Sequence, residues 1–303
     1  MLKIRVPATS ANLGPGFDCL GLALDLWNEV SFELSDRTSY HVKGEGARSL
    51  NGLASNLLAQ AMGRLYQECG KKMGGVRITA KNSIPPSSGL GSSAAAIVAG
   101  LYGANGLLGR PLDMPDLLKL GTQLEGHPDN IAPALLGGLV ISVPNGDELL
   151  TRRFDVPEWT AVIVIPEVDW PTHLARAVLP DHISRADAVF NIGRTPLVVD
   201  ALQRGDMELL QKGMEDRLHQ GYRLAHIRGG EAAFQVARTF GPSALSGAGP
   251  SLITFIKPGR AHHAGAATAD AFMRAGVKTR SLVVRSNNSG VQSFEDQAAL
   301  NPS

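Results

Sequence analysis

The run PPSSGLGSSAA, Pro85 to Ala95, carries the residue types of an anion cradle. Pro85 and Pro86 stiffen the approach. Ser87 and Ser88 lead into Gly89, Leu90 and Gly91, where the glycines let the backbone curl. Ser92 and Ser93 then offer hydroxyls as an alanine-rich helix begins at Ala94 and Ala95. Backbone N–H groups at a helix N-terminus, with the helix dipole behind them, bind phosphate. The hydroxyls can cap the helix or ligate a phosphate-bound magnesium ion. Three readings compete. A Walker A loop needs Gly-Lys-Ser/Thr, and no lysine stands here. GLGSSA fits the G-x-G-x-x-A dinucleotide pattern in form, but NSIPPSS separates it from the preceding strand and Asp113 falls in the turn RPLDMP. A plain helix cap is the third.

A second constellation is QLEGHPDNIAPALLGG (123–138), with Glu125, His127, Asp129 and Asn130 close together. Pro128 and Pro133 break any long helix there, and Asp129 or Asn130 suits an N-cap. His127 has the pKa range of a general base, but before Pro-Asp-Asn the favoured reading is that it shapes the turn on the substrate side. Two loops complete the set. PATSANLGPGFDCLG (7–21) has the turn chemistry of a strand–strand connection and ends near Asp18. SGAGPS (246–251) reads as a hairpin or bulge between two short strands.

The elements that must position these residues follow from hydrophobic periodicity. Strands are expected at 2–7, 22–34, 75–81 and 137–143, and helices at 54–69, 92–108 and about 115–125. The turn signal Asn145–Gly146–Asp147 closes this half. The pattern then restarts with a strand at 160–166 and helical spacing over about 173–218. A helix at 231–240, a strand-like SALSG, a strand at 251–257, a helix at 259–275 and a strand at 279–285 follow. Strand, helix, strand, strand, helix, strand is the split order of a ferredoxin-like layer. Residues 286–303 are polar and read as a loose tail.

Length and composition bound the rest. A chain of 303 residues suits two domains of roughly 100–200 residues each. With 44% apolar and 19% charged residues a sizeable core can form, which excludes a disordered chain. A net charge of +1 gives no global attraction to nucleic acid or to an anionic membrane, so neither is expected as a partner. Cys19 and Cys69 cannot make a disulfide framework, and no signal-peptide core or membrane-length apolar run is visible. A cytoplasmic location is the expectation.

Taken together, PATSANLGPGFDCLGLAL, PPSSGLGSSAAA, EGHPDNIAPALLGG and SGAGPS, in this order and at these separations, resemble the GHMP kinase superfamily and within it the homoserine kinases. The resemblance runs from Lys3 to about Arg285. RAVLPDHISRADAVFNIGR (176–194) and DRLHQGYR (216–223) share it. It implies a two-domain α+β GHMP kinase fold. A mixed α/β nucleotide-binding domain would occupy residues 1–155 and a ferredoxin-like C-terminal domain residues 156–303. The implied reaction moves the γ-phosphoryl of ATP to the side-chain hydroxyl of L-homoserine, with Mg²⁺. A homodimer is a further implication.

Residue by residue, the resemblance makes Pro85–Ala95 the ATP phosphate loop, with Asn56 near the adenine and Ser93 and Glu125 on the magnesium. Asn12 and Asp18 would meet the hydroxyl end and the ammonium of the amino acid. Arg176 and Arg223 would grip its carboxylate, for which the arginine fork is suited. His127, Thr172 and Gly247 join the substrate side. Related kinases carry an aspartate where this chain has Asn130, and an amide cannot take a proton. Asn130, with Asn12, is therefore expected to orient the hydroxyl without a strong base, which a loose phosphoryl-transfer transition state tolerates. After Arg223 the chain reads LAHIRGG, with Arg228 where the family usually has proline. That substitution predicts a less rigid, more positive loop beside the substrate.

Overall fold

A computed structural model describes residues 1–50 and 56–294. The first half runs β1 (Leu2–Ala11), β2 (Leu20–Leu34), β3 (Ser39–Gly44), α1 (Ala47–Leu50), α2 (Leu57–Glu68), β4 (Val76–Asn82), α3 (Ser92–Leu107), α4 (Met114–Glu125), α5 (Pro128–Leu136), β5 (Leu139–Asn145) and β6 (Glu148–Phe154). The second runs β7 (Thr160–Pro166), α6 (Thr172–Ala177), α7 (Arg185–Arg204), α8 (Met207–Gly213), α9 (Gln220–His226), α10 (Gly230–Arg238), β8 (Ser243–Leu245), β9 (Leu252–Phe255), α11 (Ala261–Arg274), β10 (Thr279–Arg285) and β11 (Gln292–Phe294).

The first sheet is ordered β11-β1-β2-β4-β3, with β5 also on β2 and β6 on β5. Among the described residues only β3 pairs in parallel, with β4. Helix α3 lies against this sheet. It is apolar nearly all round, with Ala94, Ala95, Ile97, Val98, Ala99 and Leu101 buried, so it forms the inner layer of the core. Pro7 sits inside β1, where it has no N–H for the ladder, and the register against β2 shifts between Pro7 and Ala8. The expected alternation in β2 holds for its second part. Leu20, Gly21, Leu22, Ala23 and Leu24 are buried in succession. At Gly21 a Cβ would stand 1.9 Å from the Asp129 carbonyl of α5. Pro133, four residues on, has no N–H to cover that carbonyl.

The second sheet is ordered β10-β7-β9-β8, all antiparallel, which is the ferredoxin-like 4-1-3-2 order expected from the element sequence. A second core cluster, including Val162, Val164, Leu224, Leu245 and Phe272, joins this sheet to α9, α10 and α11.

Three expectations need correction. The helical spacing over 173–218 is broken into α6, α7 and α8, because Pro180 and Gly205 interrupt it and Ser184 and Asp206 cap new starts. His127, not Asp129 or Asn130, is the N-cap of α5, since Pro128 takes the first helical position. Residues 286–294 are not a loose tail. Asn288 donates to the Val156 carbonyl at 2.8 Å and accepts from the Val156 N–H at 3.0 Å, and β11 adds to the edge of β1. Side-chain amides there do the work of backbone partners, which a polar composition does not reveal. Residues 54 and 55 of the expected α2 helix, and 295–303 of the tail, lie outside the described residues. Among the described residues no helix is long and apolar enough to cross a membrane.

Candidate active site

A cleft of about 460 Å³ lies between α2, the phosphate-loop segment, the start of α5 and the loops of the second half. Its two ends differ in chemistry. At one end Gly91 caps α3 at φ +67, aiming the first backbone N–H groups of a sixteen-residue helix at the cleft. A Cβ at Gly91 would stand 2.0 Å from Thr9 Oγ1 and 3.1 Å from Asn130 Oδ1. At Gly89 one would stand 2.1 Å from the Ser246 carbonyl. The glycines are thus required by contact as well as by curvature. Ser246 Oγ donates to the Gly89 carbonyl at 2.7 Å and lies 2.9 Å from Ser10 Oγ, so the β8–β9 hairpin of the second half braces the phosphate loop.

Pro86, Ser87, Ser88, Gly89, Gly91, Ser92, Ser93 and Ala95 line the cleft. Pro85, Leu90 and Ala94 do not. Leu90 and Ala94 are in the core, and Pro85 accepts the Ser88 hydroxyl at 2.7 Å. Their part is to shape the loop. Asn56 also lines the cleft. It is buried rather than exposed, and its Oδ1 caps α2 by accepting from Leu58 N at 3.0 Å and Ala59 N at 3.3 Å.

Ser93 Oγ donates to Glu125 Oε1 at 2.5 Å. Burial pushes the Glu125 carboxyl above its ordinary range, with the Ser93 hydroxyl pulling the other way. A half-buried carboxylate and hydroxyl facing one cleft are hard oxygen donors and fit Mg²⁺. Among the described residues no three His, Cys, Asp or Glu side chains gather as a metal cage, so such an ion would complete its shell with phosphate oxygens and water.

Asn130 sits in the first turn of α5. Its Oδ1 accepts from Thr9 Oγ1 at 2.8 Å and its Nδ2 reaches towards Asp129 Oδ1 at 3.4 Å. His127 Nδ1 faces Asp129 Oδ1 at 2.5 Å. Burial pulls the His127 imidazolium down, but the hydrogen bond and charge of Asp129, with Glu125 beyond, outweigh it and leave the pKa raised.

The other end is built from side chains. Arg176 donates to Asp18 with both Nη atoms, at 3.0 and 2.9 Å, which raises the Arg176 pKa. Asn12 Oδ1 accepts from Asp18 N at 2.9 Å and Asn12 Nδ2 donates to the Gly247 carbonyl at 2.8 Å. Asn12, Leu13 and Asp18 all have positive φ (69, 48 and 57), so this loop is held in a conformation that costs energy locally. Arg223 is 1% exposed with no carboxylate partner among the described residues. Burial, then the Arg176 cation, brings its pKa down to about 10. Thr172 and Gly247 line the same end. Arg228 does not. It is exposed in the turn between α9 and α10, beside Gly276, so the expected positive loop at the substrate is not formed.

Four contributors were not singled out from sequence. Thr9 holds the Asn130 amide, and Asn28 accepts from Ser83 N and Ile84 N at 2.8 and 3.0 Å, setting the approach to the phosphate loop. Trp170 Nε1 donates to the Ala248 carbonyl at 2.9 Å, and Phe17 lies beneath both arginines, 5.8 Å from Arg176 and 5.3 Å from Arg223. Thr9 and Phe17 lie within the quoted motif PATSANLGPGFD, which was the available signal.

Residues 56–138 match the GHMP kinases N terminal domain and residues 198–272 the GHMP kinases C terminal. A homoserine kinase of Desulfitobacterium hafniense is 41% identical over 293 residues, 96% of this chain and 99% of that one. One from Moorella thermoacetica is 44% identical over 281 residues, 92% of this chain and 95% of that one.

The chain belongs to the GHMP kinase family.

A crystal structure of homoserine kinase from Cytophaga hutchinsonii superposes with a TM-score of 0.84 at 31% identity, covering 97% of each chain. A mevalonate kinase structure, 16% identical with a TM-score of 0.69, shares the GHMP kinase fold.

Proposed function

We propose that this GHMP kinase is a homoserine kinase, which transfers the γ-phosphoryl of ATP to the side-chain hydroxyl of L-homoserine, giving O-phospho-L-homoserine and ADP. The observation that carries the reading is the far end of the cleft, where Arg176, Arg223 and Asp18 converge opposite a helix N-terminus suited to phosphate. A carboxylate-reading pair and an ammonium-reading carboxylate select a zwitterion. A sugar offers neither charge, and an isoprenoid acid offers no ammonium. The names of the relatives agree.

In this reading the backbone N–H groups from Gly89 to Ser93 cradle the phosphates. Asn56 and the cleft wall around α2 take the adenine. Ser93 and Glu125 hold Mg²⁺, which when bound neutralises phosphate charge. Asn130, its amide held by Thr9, orients the homoserine hydroxyl, with Asn12 bracing the loop beside it. Asp18 takes the ammonium and the two arginines take the carboxylate.

Arg176 and Asp18 bind each other before any substrate arrives. A zwitterion replaces this pair in kind, its carboxylate taking the arginine and its ammonium the aspartate. Only one charge would leave the other partner stranded, at the cost of an unpaired, partly desolvated ion. This discriminates against 3-aminopropanol and 4-hydroxybutyrate together. Residues 1–155 would act as the ATP-binding domain and 156–303 as the second domain, with 286–294 returning to the first sheet. A homodimer rests on the resemblance, and light scattering tests it; a cytoplasmic location rests on the cysteine usage and the sequence pattern.

The test is ADP release with Mg²⁺-ATP and a panel of homoserine, threonine, serine, mevalonate, galactose, 3-aminopropanol and 4-hydroxybutyrate. Homoserine is expected to lead by orders of magnitude. A preference for mevalonate or galactose overturns the reading.

A further inference from the structure

The motif DRLHQGYR contains a histidine that the proposed reaction does not use. His219 is fully buried at the N-cap of α9, one turn before Arg223. Its Nε2 lies 2.8 Å from the Gly14 carbonyl and its Nδ1 lies 3.1 Å from Arg223 Nη1. A carbonyl only accepts, so Nε2 carries the proton. Arginine only donates, so Nδ1 must present its lone pair. Both partners therefore demand one form, the neutral ring protonated on Nε2. Burial and the neighbouring Arg223 cation favour the neutral ring, against the pull of Asp216 and Asp18.

The remaining Arg223 contacts complete a clamp. Nε donates to the Ala175 carbonyl at 3.0 Å, and Nη1 also reaches the Gly247 carbonyl at 3.3 Å. All three acceptors are neutral, so the fork is held without its charge being cancelled. The Nη2 edge has no protein partner among the described residues, and Arg223 lines the cleft. On its other side His219 grips the loop that carries Asn12 and Asp18. Its ring stacks on Phe17 of that loop at 5.1 Å and 25°. Asp216 anchors the whole, accepting from His219 N at 2.9 Å, Gln220 N at 2.7 Å and Asn191 Nδ2 at 2.7 Å.

We infer that His219 is a positioning residue for substrate recognition. Its Nδ1 lone pair turns the Nη2 edge of Arg223 towards the carboxylate of the amino acid. This inference rests on the homoserine reading of the cleft.

The two nitrogens can be separated. Asparagine at 219 leaves an acceptor near the place of Nδ1, and glutamine leaves a donor near the place of Nε2. His219→Asn is expected to keep the homoserine KM, and the Kd from calorimetry in the presence of ADP, within about threefold of the parent. His219→Gln and His219→Leu are expected to raise both by about tenfold to a hundredfold, the range for a hydrogen bond to a charged group. The kcat and the KM for ATP should move little in all three, and kcat/KM for 3-aminopropanol, which lacks the carboxylate, should not follow the homoserine loss. Equal weakening in all three variants, or an equal loss on 3-aminopropanol, overturns the inference. Nitrogen-15 NMR of histidine-labelled parent protein needs no variant. His219 must be the neutral Nε2–H tautomer at pH 7, and a Nδ1–H tautomer or an imidazolium overturns it as well. A parent protein that does not bind homoserine defeats the proposed function instead, and is distinguished by that control.

Discussion

In the proposed reading, the two ends of the cleft hold an anion in opposite ways. The phosphate end uses backbone from one contiguous segment, Gly89 to Ser93, and the start of α3. The amino-acid end uses side chains from α6, α9 and the loop between β1 and β2, which are far apart in the chain. Backbone donors carry partial charge, need no counter-ion and are fixed by the helix itself. Full cations need either burial support or a partner. Arg223 has the first, neutral acceptors on three sides. Arg176 has the second, the carboxylate of Asp18. In that reading a single substrate group would be met by one arginine poised and one already engaged.

The largest expected effect separates those two arginines. Arg223→Ala should lower kcat/KM for homoserine by two orders of magnitude or more, since removing one member of a buried charge pair costs on the order of 2–5 kcal/mol. Arg176→Ala should cost less, because Arg176 is 40% exposed on its side chain and gives up Asp18 to bind substrate. Steady-state kinetics with homoserine varied checks the order. Equal losses, or a larger loss at Arg176, would erase the distinction between poised and engaged.

The phosphate end is probed by Glu125→Gln. Activity should fall sharply and the Mg²⁺ titration midpoint should rise. The ligand-free fold should respond in the opposite sense. The Glu125 pKa is raised above its ordinary 4.5 in the folded chain, so the folded state holds the extra proton between those two values and stability falls as pH rises through that window. Glutamine cannot ionise, so the variant should gain melting temperature relative to the parent above the window and show no advantage below it. Thermal melts at a series of pH values decide this, and a variant less stable than the parent at pH 8 would contradict it.

The smallest effect lies between the ends. Thr9→Val keeps the shape at Thr9 but removes the hydrogen bond to Asn130 Oδ1. The loss of one buried hydrogen bond is worth about 1 kcal/mol, so kcat should fall roughly fivefold to tenfold with KM for homoserine little changed. An unchanged kcat would remove the Thr9–Asn130 contact from the alignment of the hydroxyl.

The same contrast governs what could be read before folding. The phosphate loop is local: prolines, glycines and serines within eleven residues dictate a turn into a helix whatever the rest of the chain does. The second sheet is nearly as legible, because apolar runs such as TAVIVIP and SLITFIK and their spacing dictate strands in a split order. Arg176 and Arg223 have no such signature, since a lone arginine is usually a surface charge, and only the surrounding motifs drew attention to them. The sequence by itself therefore determined the elements, the anion cradle and the inventory of charges. Tertiary structure alone decided that Arg176 reaches Asp18 across 158 residues, that Arg223 is buried with its Nη1 beside His219 Nδ1, and that Asn288 and its neighbours stitch the chain's last described stretch to its first strand. The physical reason is that turns and periodicity are set by neighbours along the chain, whereas desolvation and charge pairing depend on which distant groups share a space once the two sheets have packed.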